Sequence, residues 1–475
     1  MTPFALEIGL AILMLVVFGV GLVGGEGGRR RTGAITALGL VVLVGAAFSL
    51  RLAGSAGGGA FVFDRLARFA KRLFLVSTLI GVLASLSLPG EVFRRRATEY
   101  YLLLLSSLLG MMVLASARDL ILLFVAFELM SIPLYALAGF RKREPEAVEA
   151  ALKFFLVGTV SSAVMAYGLS FVYGTAATTA LPGVARALEG RPPLLVFGLL
   201  TVLAGFGFKI AAVPFHMWVP DTYEAASTPF VAWLSVAPKA AGFVALFRVF
   251  LEGVGDQVTL WMPIIAALAA VTIVGGNLMA LPQQNVKRLL AYSGIAHIGY
   301  MLVGLAAVSA SGTAMVLFYL VAYVFANMGA FLVVEVVARS EGTEHLNGFR
   351  GLAQRSPLLA VAMLLFLLSL GGIPFVAGFW AKLYVLWAAA EAGLYWLVLL
   401  GAILTVVALF YYLVIARRMY IDPPTRPEPI PLAPTMALCV IISQATVKNV
   451  LIPITWRTQN NGAATRRAAM TIGLG

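Results

Sequence analysis

The chain has 475 residues, 61% of them hydrophobic and only 12% charged, with a mean hydropathy of +0.96, far more apolar than a soluble domain at roughly 45–50%. Its net charge of +13 does not point to nucleic acid, because the basic residues gather in short clusters between apolar runs, as in Arg29-Arg30-Arg31, Arg94-Arg95-Arg96 and Arg141-Lys142-Arg143. One cysteine, Cys439, and three histidines exclude an internal disulfide and the usual ligand spacings of a metal or haem site, so no bound cofactor or metal is expected in this chain.

A helix of about 20 apolar residues is about 30 Å long, the thickness of the hydrocarbon core. Taken in order, such runs fall near 4–23, 33–52, 71–88, 98–117, 119–139, 147–173, 192–213, 229–250, 258–280, 289–308, 312–338, 357–390, 394–416 and 434–454. The expected fold is all-α, a polytopic membrane protein of about fourteen transmembrane helices. The first run, Phe4 to Val23, lacks a basic leader and a small-residue cleavage site, and reads as a retained helix.

With the N-terminus outside, the clusters at 29–31, 94–96, 141–143, 287–288, 339–355 and 417–426 fall in odd-numbered loops, which the positive-inside rule places in the cytoplasm. Arg51, Arg65, Arg68, Lys71 and Arg72 run against this bias. Phe61, Leu66, Phe69, Leu73 and Phe74 share one helical face there, and an interfacial helix accounts for the exception. Arg248, at the end of the eighth span, reads as a snorkelling anchor.

Two spans are interrupted. The seventh ends in Val213-Pro214-Phe215-His216, and the twelfth carries Gly371-Gly372-Ile373-Pro374 about a third of the way along. A proline frees a backbone carbonyl, and at membrane depth a broken backbone is tolerated only inside protein or beside a wet cavity. Each break is the fourth span of a five-helix block, at 98–250 and 258–416, and an odd number of spans gives the blocks opposite orientations. This is the pattern of an inverted-repeat transporter, preceded by helices in 1–97 and followed by a C-terminal segment, 417–475.

The apolar spans also contain charges, which are costly in hydrocarbon and point to function. Glu128 lies in the otherwise apolar Leu120–Ala138; it suits a proton site, or it fixes packing through a hydroxyl such as Ser131 or Tyr135. Lys209 is close to the break at Pro214, Lys239 follows Pro238 near the middle of its span, and Lys382 comes eight residues after Pro374. Burial disfavours an ammonium and a nearby carboxylate favours it, so such lysines gain or lose a proton when a neighbouring charge moves. Lys153 is about two turns from a helix end, where snorkelling or a pair with Glu149 competes with a relay role. His297 has Ser293 at i−4 and Tyr300 at i+3, a hydroxyl–imidazole–phenol row able to pass protons or simply to satisfy an interior histidine. His216, beside Trp218 and Asp221, reads as an interface residue. Gly205-Phe206-Gly207 and Gly275-Gly276 read as close helix packing. A Walker A motif, a dinucleotide fingerprint and a nucleophile elbow are all missing, so ATP-driven transport and hydride transfer have no support.

Several stretches carry a family resemblance: Phe127-Glu128-Leu129-Met130-Ser131-Ile132-Pro133-Leu134-Tyr135; Phe208-Lys209 through Val213-Pro214-Phe215-His216-Met217-Trp218-Val219-Pro220-Asp221; Val236-Ala237-Pro238-Lys239; Lys287-Arg288-Leu289-Leu290-Ala291-Tyr292-Ser293 through His297-Ile298-Gly299-Tyr300; and Gly372-Ile373-Pro374 through Gly378-Phe379-Trp380-Ala381-Lys382. Over roughly 60–420 the chain resembles the antiporter-like membrane subunits of bacterial NADH:quinone oxidoreductase, respiratory complex I. Glu-Leu-Met-Ser at 128–131 and Lys382 look like subunit N among them. The resemblance implies a fourteen-helix inner-membrane subunit that couples quinone reduction elsewhere in the complex to proton pumping. The FMN and iron–sulfur clusters would lie in partner subunits, and neighbouring antiporter-like and small membrane subunits would be the partners. It further implies that Glu128 tunes Lys209, that Lys239 and His297 lie on a central hydrated axis, that Lys382 faces the outlet, and that Lys153 belongs to the relay. Ala225-Ala226-Ser227-Thr228-Pro229, Phe375 and the polar tail after about Pro434 depart from the family pattern. Other readings are a cation/proton antiporter subunit, a hydrogenase-linked relative, or a structural spacer.

Overall fold

The computed structural model describes residues 2–449 apart from 51–52, 89–92, 94, 191, 255–257 and 425, so the end of the last expected span and the polar tail lie outside the described residues. The chain divides into two units, Met1–Ile210 with Ala225–Val258, and Ala211–Glu224 with Thr259 onward.

The first unit opens with α1 (Ala5–Val23) and α2 (Gly25–Ser49), then a short hairpin of β1 (Gly54–Ala56) and β2 (Phe61–Phe63). Next come α3 (Arg65–Ser85), α4 (Ala97–Ser116), α5 (Leu120–Ala138), α6 (Pro145–Ala176), α7 (Leu181–Leu188) and α8 (Pro193–Ile210). Polar residues set the helix starts: the Asp64 carboxylate accepts from Ala67 N at 2.9 Å, and Asp119 accepts from the amides of Ile121 and Leu122, satisfying donors that a helix leaves free. Small residues set the packing. A Cβ on Gly110 would collide with the backbone of Met130 in α5, and one on Gly205 would reach Met165 in α6 at 2.7 Å. The expectation that Gly205 mediates close packing holds.

The eighth expected span is not one helix. It consists of α10 (Thr228–Leu234), α11 (Ala237–Leu246) and a π-helical turn at Phe247–Gly253. The whole run is enclosed by protein. Pro238 does not sit mid-helix but in the first turn of α11, where its missing N–H costs nothing.

In the second unit, α9 (Trp218–Ala225) contributes most of its length, followed by α12 (Val258–Ala280), α13 (Val286–Ala306) and α14 (Ala310–Glu341). The expected twelfth span is two helices, α15 (Pro357–Gly371) and α16 (Ala377–Glu391), so the break falls near its middle rather than a third of the way along. Helices α17 (Tyr395–Tyr420) and α18 (Pro434–Asn449) complete it. Asn285 caps α13 through the amides of Lys287 and Arg288. Helix α13 is buried apart from the partly exposed Arg288 and Tyr292 and lies so close to α12 that a Cβ on Gly299 would come within 2.7 Å of the Ile273 nitrogen. Gly276 likewise leaves no room for a Cβ beside the Ala296 backbone, as expected of the Gly275-Gly276 pair.

Among the described residues, eleven helices are long and apolar enough to cross a membrane, with α15 and α18 as shorter apolar helices. The fold is therefore all-helical apart from the small hairpin, and polytopic. By length and apolarity alone the helices fall short of fourteen. One difference is α3, whose Arg65, Arg68, Lys71 and Arg72 lower its apolarity.

Those residues correct the interfacial-helix expectation. Phe61 belongs to β2, and α3 is packed in the bundle with Lys71 fully buried. The Lys71 ammonium meets Glu7 of α1 at 2.6 Å and lies over the rings of Phe61 and Phe63 at 4.8 and 4.3 Å. Arg72 donates to the Ala47 carbonyl at 2.9 Å. Lys71 and Arg72 break the loop-charge bias because they are matched inside the protein, whereas Arg65 is exposed and Arg51 lies outside the described residues.

Arg248 is also not a snorkelling anchor. It is 0% exposed, forks onto both Asp64 oxygens at 2.5 and 2.7 Å, meets Glu252 at 2.5 Å and donates to the Ala115 carbonyl. Arg118 holds the other Glu252 oxygen at 2.7 Å. Burial alone would raise the Asp64 pKa, but the hydrogen bond and charge of Arg248 outweigh it and hold the carboxyl below its ordinary value. The stabilisation is therefore complete above the ordinary carboxylate range and disappears as pH falls through the lowered value. Asp64→Ala, which strands a buried guanidinium, is expected to cost about 3 kcal/mol. Thermal unfolding of the detergent-solubilised protein should show that loss at neutral pH and a much smaller one in acid.

Candidate functional site: buried cations beside broken helices

In the first unit, Lys209 occupies the last turn of α8 and is 2% exposed. The helix ends at Ile210, earlier than expected, and Ala211 takes a left-handed φ of 65°. The Lys209 ammonium donates to Ser131 Oγ at 2.7 Å, and Ser131 passes its own proton to the Phe127 carbonyl at 2.6 Å. The ammonium also lies over the Phe127 ring at 5.2 Å.

Glu128, one helical turn before Ser131, is half-buried. Its partner is neither Ser131 nor Tyr135 but Ser162 of α6, which donates to Glu128 Oε1 at 2.5 Å. Ser131, not Glu128, makes the hydrogen bond to the Lys209 ammonium. Ser162 escaped the sequence reading because nothing in its own apolar surroundings marks it; its buried spacing with Gly158 and Met165 was the available signal.

Lys239 is buried in the first turn of α11. A third interruption, missed in the sequence, precedes it at Ser235-Val236. Helices α8 and α11 meet at Gly242, where a Cβ would approach Ile210 Cγ2 at 2.7 Å and Lys209 Cγ at 3.7 Å. Lys209 and Lys239 thus sit on adjoining helices of one unit. Lys153 is placed apart from them, on an exposed side of α6, in an i,i+4 pair with Glu149 at 2.8 Å. His216 is half-buried in the segment between α8 and α9.

In the second unit, Lys382 of α16 is buried and reaches back to the break, donating to the Gly371 carbonyl at 3.3 Å. This is the C-terminal end of α15, where free carbonyls and the helix dipole favour a cation. The ammonium also lies 4.9 Å over the Tyr300 ring. His297 is buried in α13. The expected row with Tyr300 is not formed: Tyr300 donates to the Gly401 carbonyl and shares a hydrogen bond with Thr405, each at 2.9 Å. His297 Nδ1 instead meets Tyr319 of α14 at 2.7 Å, and Nε2 meets Tyr412 of α17 at 3.2 Å. Tyr412 also bonds Ser293 at 2.7 Å. A polar face of one helix was legible; phenols more than 20 and 110 residues away were not. Among the described residues, no group of three or more His, Cys, Asp or Glu side chains is arranged to hold a metal.

Broken helices with lysines buried beside them, in an all-helical membrane fold, define an antiporter-like membrane protein. A family model described as NADH:quinone oxidoreductase/Mrp antiporter matches residues 117–408. NADH-quinone oxidoreductase subunit N of Moorella thermoacetica is 42% identical over 440 residues, 92% of each chain. A chain in the structure of respiratory complex I from Thermus thermophilus is 34% identical, with a TM-score of 0.79 over 94% of this chain and 96% of that one. A chain of the Mrp complex from Dietzia shares the fold, with a TM-score of 0.85 over 99% and 97% at 20% identity. The chain belongs to the family of NADH-quinone oxidoreductase subunit N, membrane subunits of a translocating oxidoreductase.

The contact between Lys382 and the break yields a test of the geometry. Gly372 has φ 82°, and a Cβ there would meet Lys382 Cδ at 3.0 Å. Gly372→Ala is expected to destabilise by roughly 1–2 kcal/mol from the left-handed backbone, and further by displacing the lysine stem. Gly174→Ala, where a Cβ meets nothing within 4 Å, should raise the unfolding midpoint slightly in the same thermal assay.

Proposed function

We propose that this chain carries protons across a bacterial inner membrane through Glu128, Lys209, Lys239, His297 and Lys382, as one membrane subunit of an NADH:quinone oxidoreductase. Quinone reduction in the complex drives it, and partner subunits hold the FMN and iron–sulfur clusters. The partners of this chain are the other membrane subunits, including neighbouring antiporter-like and small ones. The N-terminus lies outside, which the loop clusters of arginine and lysine support.

One observation carries the reading: each unit encloses a largely buried helical run bearing a buried ionisable side chain, Lys239 or His297, and contains a lysine buried near a helix break. The division into residues 98–250 and 258–416 as inverted five-helix repeats, with 1–97 and 417–475 outside them, is part of this proposal. The paired breaks near Lys209 and Lys382 support it.

The chemistry follows from charge and solvation. A carboxylate at Glu128 favours the ammonium form of Lys209; when Glu128 is neutralised or moves away, the ammonium keeps only neutral partners and its proton is released to the next acceptor. Lys239 is the following carrier in the first unit, and His297 and Lys382 serve the second. Lys382 is the outlet group. Lys153 is proposed as an accessory member on the strength of the family resemblance, since its pair with Glu149 satisfies it locally.

Lys209→Ala and Glu128→Ala in the assembled complex are expected to cut proton pumping by about a hundredfold, the low end of what a positioned acid–base group contributes, and to slow coupled quinone reduction. Vesicles reporting acidification during NADH oxidation measure this. Full pumping by both variants would sink the proposal, and pumping with charge-neutral Lys209, Lys239 and Lys382 would favour a structural spacer.

A further inference from the structure

The second unit contains a hydrogen-bonded chain longer than the proposed function uses. Ser293, Tyr412, His297 and Tyr319 follow one another at 2.7, 3.2 and 2.7 Å. All four are buried, and they come from three helices, α13, α14 and α17. Both imidazole nitrogens are therefore engaged by phenols, with no solvent molecule needed between the links.

Donor accounting admits two arrangements in which every link of this chain points the same way. A neutral imidazole has one N–H donor and one acceptor nitrogen, while each phenol or alcohol has a single O–H to give. In one arrangement Tyr319 donates to Nδ1, the Nε2 hydrogen goes to Tyr412, and Tyr412 donates to Ser293. In the other Ser293 donates to Tyr412, Tyr412 to Nε2, and the Nδ1 hydrogen goes to Tyr319. The two differ in the direction of every O–H and in the tautomer of His297.

We infer that Tyr412 and Tyr319 are proton-carrying residues on either side of His297, and that protons cross the imidazole from one ring nitrogen to the other. This inference rests on the proposed proton-transport role. In one passage Tyr319 gives its phenolic proton to Nδ1 and takes a replacement from beyond the chain. The Nε2 proton goes to Tyr412, Tyr412 gives its own to Ser293, and Ser293 releases one. Only O–H and N–H bonds break and form, their numbers balance, and no phenolate is left behind. The passage leaves His297 in the opposite tautomer with every donor reversed, so a second proton in the same direction must wait until the chain resets. The segment is a one-proton-at-a-time element.

The other titratable groups facing the chain are Tyr300 on α13, Tyr323 on α14, whose ring lies 5.2 Å from that of His297, Tyr411 on α17, 4.6 Å from the Tyr412 ring, and Lys382 on α16, over the Tyr300 ring. Lys382 is the charged member, and it contacts Tyr300 rather than the chain.

The test uses the assembled complex in sealed vesicles. Tyr412→Phe removes the links to both Ser293 and His297 and is expected to lower pumping about tenfold with assembly intact. Thr405→Val removes a half-buried hydroxyl from the same helix, outside the chain, and should leave pumping unchanged. Replacing Tyr412 by 3,5-difluorotyrosine keeps the shape and the hydroxyl but makes the phenol more acidic. A proton carrier then shifts the pH–rate profile of pumping toward lower pH, whereas a packing residue leaves it in place. Retained pumping in Tyr412→Phe, or an unmoved profile with difluorotyrosine, overturns the inference. If Lys209→Ala has lost pumping in the same preparation, only this inference has failed; if Lys209→Ala and Glu128→Ala both pump fully, the transport role has failed with it.

Discussion

A charge enclosed in a membrane-spanning bundle has no bulk water to solvate it, so the protein must supply every dipole that holds it. That constraint organises this molecule. Lys209 takes a serine hydroxyl and a phenylalanine face, Lys382 takes the last carbonyl of a broken helix and a tyrosine face, and Lys71 takes a carboxylate between two phenylalanines. Lys71 has a full counter-ion and is held as half of an ion pair. Lys209 and Lys382 are hydrogen-bonded to neutral oxygens, a weaker match that leaves their charge responsive to neighbours. The same residue type is therefore matched by a counter-ion in one place and by neutral oxygens in others.

The helix breaks follow from the same need. An intact helix spends its carbonyls on its own amides, whereas an interrupted one releases several at its C-terminal end. Lys382 uses one of these, and the glycine at 372 is required both by its φ and by the space the lysine stem occupies. Phe375, which stands where the resemblance leads one to expect a proline, has φ 79°. A proline ring fixes φ near −65°, so proline cannot adopt this backbone conformation, and phenylalanine adopts it at a steric cost.

Hydropathy made the intramembrane charges legible, because an ionisable residue in an apolar run stands out without any knowledge of the fold. Glu128, Lys209, Lys239, His297 and Lys382 were visible in that way, as were the two breaks marked by Val213-Pro214 and Gly371-Gly372. The break before Lys239 was hidden because Pro238, which looks like a defect inside a long apolar run, is a favourable first-turn residue of a new helix. Partners remote in sequence were hidden for a different reason. Ser162, Tyr319 and Tyr412 lie in segments whose own pattern says only membrane helix, and it is tertiary packing that delivers them to Glu128 and His297. Arg248 was misread on the same account, since its position at a span end suggests snorkelling, while Asp64, 184 residues earlier, is folded against it.

The run containing Lys239 shows how the two kinds of charge cooperate. At its start, Trp233 Nε1 donates to Thr78 Oγ1 at 2.9 Å, and at its far end the π-helical turn is held by Arg248 on Asp64 and Glu252. Both attachments reach outside the run, to α3 and the residue that caps it, so the stretch carrying the break and Lys239 is tied at either end to the same helix. Shifting it as a rigid body would uncouple a buried guanidinium from the Asp64 carboxylate, a cost of several kcal/mol. Moving a proton or turning a hydroxyl among neutral partners disturbs far less. In this architecture the Trp233–Thr78 hydrogen bond and the Arg248–Asp64 ion pair fasten both ends of the run that carries Lys239.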